Sequence, residues 1–97
     1  MSETLPISLE TVVAQVRGQL SCTLASETVL MSIETGQYYY LNKVGSRIWD
    51  LLATPYCVAD LCITLLATYE VERSQCEHEG LAFLDNMYTD KLIQVAS

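Results

Sequence analysis

Thr35-Gly36-Gln37-Tyr38-Tyr39-Tyr40-Leu41-Asn42 is the stretch on which the fold of this chain turns. Three consecutive aromatics favour a strand, and a strand sends successive side chains to opposite faces. Tyr39 and Leu41 therefore share one face, and Tyr38 and Tyr40 the other. Gly36, free to adopt positive φ, stands between the tyrosines and the β-forming run Thr28-Val29-Leu30-Met31-Ser32-Ile33, which predicts a hairpin with the tyrosine strand as its second arm. A strand before it is predicted from Gln19 to Ala25, where polar and apolar residues mostly alternate. The outward tyrosine rings are either covered by the N-terminal segment or exposed beside an open binding edge, and the sequence admits both. A free backbone edge with large amphipathic rings suits capture of an extended peptide by strand addition.

After the strand, Asn42 predicts a helix cap, and Val44, Ile48, Leu51 and Leu52 repeat at the spacing of one helical face. Thr54-Pro55 ends that helix. The stripe Val58, Leu61, Cys62, Leu65, Leu66 and Tyr69 predicts a second, buried helix. Ser74 followed by Glu77 matches a capping box, predicting a third helix that carries Leu81, Phe83, Leu84, Met87 and Tyr88. Leu92 to Val95 closes the chain as an extended segment. Toward the N-terminus, Leu9, Val12, Val13 and Val16 fit a helical stripe, while the valine content suits a strand equally well. Residues 1–18 are thus an N-terminal extension of open structure, and 19–97 form the domain. A sheet followed by three short helices in one small chain can bury its apolar faces only by packing them together, which gives an α+β, winged-helix-like fold.

Charge narrows the function. Twelve acids against five bases give a formal net charge of −7, and the bases Arg17, Lys43, Arg47, Arg73 and Lys91 are scattered along the sequence. A phosphate backbone needs a positive stripe, so nucleic acid is a poor partner, whereas a peptide with basic residues is favoured. No apolar stretch approaches the ~18 residues of a membrane span, and no secretory signal opens the chain, so a cytoplasmic protein with reduced thiols is expected. Catalytic candidates reduce to Cys76-Glu77-His78. On a helix, residues two apart diverge by roughly 200°, so Cys76 and His78 cannot act on each other. Cysteines without a paired spacing and one histidine do not make a zinc site, and no glycine-rich phosphate loop exists. The expectation is a protein that is no enzyme and has no metal or cofactor.

The ordered set Val29-Leu30-Met31, Thr35 to Asn42, Val44-Gly45, Ile48-Trp49 and Leu51-Leu52 resembles the PqqD-like family of peptide-recognition elements for ribosomally made, modified peptides. The likeness continues through Val58, Leu61, Leu65, Tyr69, Phe83-Leu84, Met87 and Leu92-Ile93. It implies a winged helix-turn-helix-like domain, with an N-terminal three-stranded antiparallel sheet packed on three helices. It further implies that a precursor's leader segment binds as an added strand between the third strand, Gln37 to Leu41, and the third helix, about Cys76 to Thr89. On that helix Gly80, Leu84 and Met87 match the family's core stripe. The residues then expected to meet the peptide are Met31, Ile33, Tyr38, Tyr39 and Tyr40 on the sheet, with Leu81, Asp85 and Tyr88 on the helix. The chain is most similar to the stand-alone leader-binding proteins of lasso-peptide biosynthesis, which deliver the precursor to a separate leader-peptide protease, and it is expected to be a monomer. An alternative is a peptide chaperone for a radical-SAM modifying enzyme. A winged-helix DNA-binding regulator fits less well, because the expected third helix carries Glu77, Glu79 and Asp85 and no base before Lys91.

Overall fold

The segment around Val12, which pattern alone leaves between helix and strand, is a strand in the computed structural model, which describes residues 7–96. The elements run β1 (Val12–Gln15), β2 (Gln19–Leu24), β3 (Glu27–Ser32), β4 (Tyr38–Leu41), α1 (Lys43–Leu51), β5 (Tyr56–Cys57), α2 (Val58–Thr68), α3 (Arg73–Thr89) and β6 (Ile93–Val95). They form two antiparallel three-stranded sheets, ordered β2-β3-β4 and β5-β1-β6. The first is the expected sheet. The second ties the two ends of the chain to the short linker between α1 and α2, and sequence alone did not suggest it.

The two hairpin loops of the first sheet are built differently. Leu24 and Glu27 close a two-residue loop in which Ala25 (φ 53°) and Ser26 (φ 72°) both take the left-handed conformation, at some steric cost for non-glycine residues. Between β3 and β4, Gly36 (φ 76°) supplies that conformation without a Cβ penalty. Its amide donates to Ser32 O at 2.7 Å while Ser32 N donates to Gln37 O at 2.9 Å, so Gly36 and Gln37 together oppose Ser32 in a glycine bulge that sets the register of β4.

The helix starts show which sequence signals operate. Asn42 caps α1 as expected, its Oδ1 accepting from Gly45 N at 2.8 Å, and the buried Ser46 hydroxyl donates back to Leu41 O at 3.1 Å. The start of α2 has no side-chain cap at Cys57. Instead Val58 N donates to Thr11 O and Ala59 N to Leu9 O, so the N-terminal segment satisfies two otherwise orphaned amides. At α3 the expected capping box does not form, because the helix begins at Arg73, ahead of Ser74. Ser74 donates to Glu72 Oε1, and Glu77 pairs with Arg73 one turn away. The competing i,i+4 ion pair takes the glutamate that the box would have used.

One core joins the layers. Leu30 and Leu41 from the sheet meet Ile48, Trp49 and Leu52 of α1 and its end, Leu61 and Leu65 of α2, and Leu84 and Met87 of α3. Ile7 and Val13, from the first 18 residues, belong to the same core. On α3 the buried stripe is Cys76, Gly80, Leu84 and Met87, in agreement with the expected one. Gly80 has room for more: a Cβ there meets nothing nearer than Cys62 Sγ at 4.0 Å, whereas a Cβ on Gly45 lies 3.2 Å from the Phe83 ring. Gly80→Ala should therefore raise stability by about 0.5–1 kcal/mol through restored helix propensity. Gly45→Ala should gain less or lose stability, and paired thermal melts of the two variants check the contrast.

Candidate functional site

β4 is bonded along one side only. Its partner is β3, and among the described residues no strand lies along its other edge. The ladder fixes which groups face that edge. The Ser32–Gln37 hydrogen bond makes those residues a bonded pair, and bonded pairs recur at every second residue in an antiparallel ladder. Leu30 opposite Tyr39 and Thr28 opposite Leu41 are then bonded pairs. Tyr38 and Tyr40, opposite Met31 and Val29, turn their N–H and C=O groups outward.

α3 comes close to the chain on either side of this strand. Its first half lies beside Asn42 and Gly45, just past the end of β4, where Cys76, Gly80 and Phe83 line a cavity of about 290 Å³. Its C-terminus lies beside Ile33, at the start of the loop leading into β4, where Ile33 and Tyr88 line an open groove of about 760 Å³. Among the described residues, none is bonded to the outer edge of β4.

The eight residues expected to meet a peptide fall into three groups. Tyr39 lies on the inner face with the buried Leu41, packs against the core and donates its hydroxyl to Gln37 Oε1 at 2.9 Å. Leu81, Asp85 and Tyr88 share one flank of α3 beside its core stripe. Leu81 and Asp85 are half-buried, and Tyr88 is 37% exposed. Asp85 has no ion pair or hydrogen bond within the described residues. Tyr38 and Tyr40 project from the other face of the sheet, 64% and 82% exposed, with Met31 between them and β2. The N-terminal strand β1 lies in the other sheet, so it does not cover these rings. Ile33 stands apart, in the groove with Tyr88. Sequence reasoning missed Phe83 as the residue seated on Gly45, and the pairing of a glycine in a helical first turn with a later aromatic was its only trace.

Two solved structures share this architecture. One, described as TbiB1 in complex with the TbiA(beta) leader peptide, is 28% identical, with a TM-score of 0.78 over 87% of this chain and 98% of that one. The other, described as lasso peptide synthetase B1 complexed with the leader peptide, is 22% identical, with a TM-score of 0.74 over 84% of this chain and 96% of that one, and shows the same fold. The family model described as coenzyme PQQ synthesis protein D (PqqD) matches residues 27–93. No curated protein matches the chain.

Two cysteines pack together where α2 meets α3. Cys62 and Cys76 are buried, while His78 is exposed. Burial, with Cys76 and Glu77 nearby, pushes the Cys62 thiol up to about 11 from 9.0. A proton held more tightly by the folded state leaves stability intact below pH 9 and removes it as the pH rises from 9 toward 11. At pH 8, iodoacetamide should therefore label the exposed Cys22 of the folded protein and spare Cys62 and Cys76 until denaturant is added, which mass spectrometry of the digested protein reads directly.

Proposed function

The chain belongs to the PqqD family, and from that we propose that it is a non-catalytic recognition protein that takes the leader segment of a ribosomally synthesised precursor peptide as a strand added to β4. The observation that carries this reading is the outward-facing backbone of Tyr38 and Tyr40 on a sheet edge with no strand beyond it among the described residues. Main-chain bonds to an extended peptide supply affinity that is independent of its sequence, and side-chain pockets supply selectivity. Leu81 and Tyr88 offer apolar contact, and the unpartnered Asp85 carboxylate fixes a donor of the peptide. Ile33 holds the peptide at the hairpin end. Met31, Tyr38 and Tyr40, on the outer face, flank the added strand through their rings and stem. The leader peptide in the TbiB1 complex, at 28% identity, supports a leader as ligand.

The bound precursor is then delivered to a processing enzyme, with the leader-peptide protease of lasso-peptide maturation as the first candidate. The family's description in coenzyme PQQ synthesis favours a second reading, a peptide chaperone for a radical-SAM enzyme, and leader binding is common to both. The protein works in this role as a cytoplasmic monomer without a cofactor.

Hydrogen exchange tests the strand. A synthetic leader peptide should slow exchange of the Tyr38 and Tyr40 amides and leave Tyr39 and Leu41, already bonded to β3, nearly unchanged. Protection confined to the helices would contradict strand addition. Substitution separates site from core: Leu81→Ala and Tyr88→Ala should weaken leader binding at little cost in melting temperature, whereas Leu84→Ala should cost ~2–5 kcal/mol of stability as a core truncation. Asp85→Ala should reduce affinity by up to ~3 kcal/mol if its carboxylate meets a buried donor. Fluorescence titration with labelled leader, alongside melts, reads all four variants.

A further inference from the structure

The groove at the hairpin end of β4 has a charge opposite to that of the protein. The chain as a whole carries −7, yet two of its five bases, Arg17 and Lys91, line this one groove together with a single acid, Glu34. They come from opposite ends of the sequence, Arg17 from the β1–β2 turn and Lys91 from the end of α3. Neither has an ion pair among the described residues, where the recorded pair is Arg73–Glu77. The remaining walls include Ile33 and Tyr88, both substantially exposed.

Lys91 stands where a lysine is costly. Its amide donates to Tyr88 O at 3.0 Å and Leu92 N donates to Met87 O at 2.9 Å, the two bonds of a Schellman motif in which Lys91 holds the left-handed position (φ 64°). Glycine fits that position without strain. A side chain retained against its backbone preference, at the lip of a groove, is the kind of strain found at binding sites. Gln19 lines the same groove, and its Oε1 is buried with no hydrogen-bond partner. A small rotation of that amide would let it accept from a peptide N–H.

We propose that this groove is an acid-reading subsite for the leader: the flank that continues past Tyr38 places an Asp or Glu side chain between Arg17 and Lys91 and an apolar side chain against Ile33 and Tyr88. The inference rests on leader binding along β4 and adds to it a charge preference for one flank, contrary to the preference of the whole surface for basic peptides. The occupant follows from continuity and charge: Tyr88, the last residue of the α3 flank that meets the leader, also lines this groove, and its two cations suit an acidic side chain. Exposed ion pairs are individually weak, so the two cations together should account for roughly a tenfold change in Kd.

Titration of the full-length protein with the synthetic leader provides the test, using leaders in which each flanking Asp or Glu is replaced by Asn or Gln. The double variant Arg17→Glu, Lys91→Glu should weaken binding about tenfold for the native leader. It should have almost no effect for the leader lacking the one acid that the groove reads, and added salt should erase the difference. Lys91→Gly should raise the melting temperature through relief of backbone strain and still lower affinity, a combination that a purely structural lysine would not give. Unchanged affinity in the charge-reversed protein, with Tyr38 and Tyr40 amides still protected by leader, would overturn the subsite and leave strand addition standing. Absence of both binding and protection in the unaltered protein would overturn strand addition and the subsite with it.

Discussion

Everything proposed for this protein depends on a four-residue strand that is held from one side. β4 has one neighbour in its sheet, and the outward N–H and C=O groups of Tyr38 and Tyr40 need partners that no described residue supplies. An unpaired edge is a hazard, since it can template pairing with another copy of the chain. The strand is short, and its position is fixed at both ends: the Gly36 bulge sets its register where it begins, and the Asn42 cap with the Ser46–Leu41 bond anchors it where it passes into α1. Leu41, 7% exposed, and the fully buried Leu30 of the neighbouring strand tie this edge to the core. Preorganisation of that kind lowers the entropy cost of binding.

Much of this was legible in the sequence because the decisive signals are local. Alternation placed Tyr39 and Leu41 on one face and Tyr38 and Tyr40 on the other, and Asn42 announced the helix that follows. The stripe on α3 separated Leu84 and Met87 from the flank of Leu81, Asp85 and Tyr88. The failures arise where a competing local bond or a distant segment takes the place of the expected one. Ser74 and Glu77 carry a capping-box pattern, but Arg73 draws Glu77 into an ion pair and the helix starts earlier. Cys57 lacks a capping side chain, and the carbonyls of Leu9 and Thr11 serve in its place. The second sheet was invisible for the same reason: Tyr56–Cys57 is too short to show periodicity, and β1 and β6 are partners only in space.

The same logic governs charge. Read along the chain, the five bases are dispersed among twelve acids and suggest no site. Folding brings Arg17 and Lys91 to one groove because β1 and β6 lie side by side and carry the turn after β1 and the end of α3 to the same edge. A sequence-level charge argument sees the average field of the surface, and the groove lined by Arg17 and Lys91 is a local exception to it.

The central claim is that the ligand is held as a strand by the backbone of Tyr38 and Tyr40, and a scan of N-methylated leaders tests it most directly. Methylation of a peptide nitrogen removes one donor while leaving the side chain in place. Strand addition predicts that Kd rises at alternate peptide bonds of the paired segment, those whose N–H groups point to β4, while the bonds between them tolerate the change. Losses that follow a helical period, or no loss at any position, would contradict it.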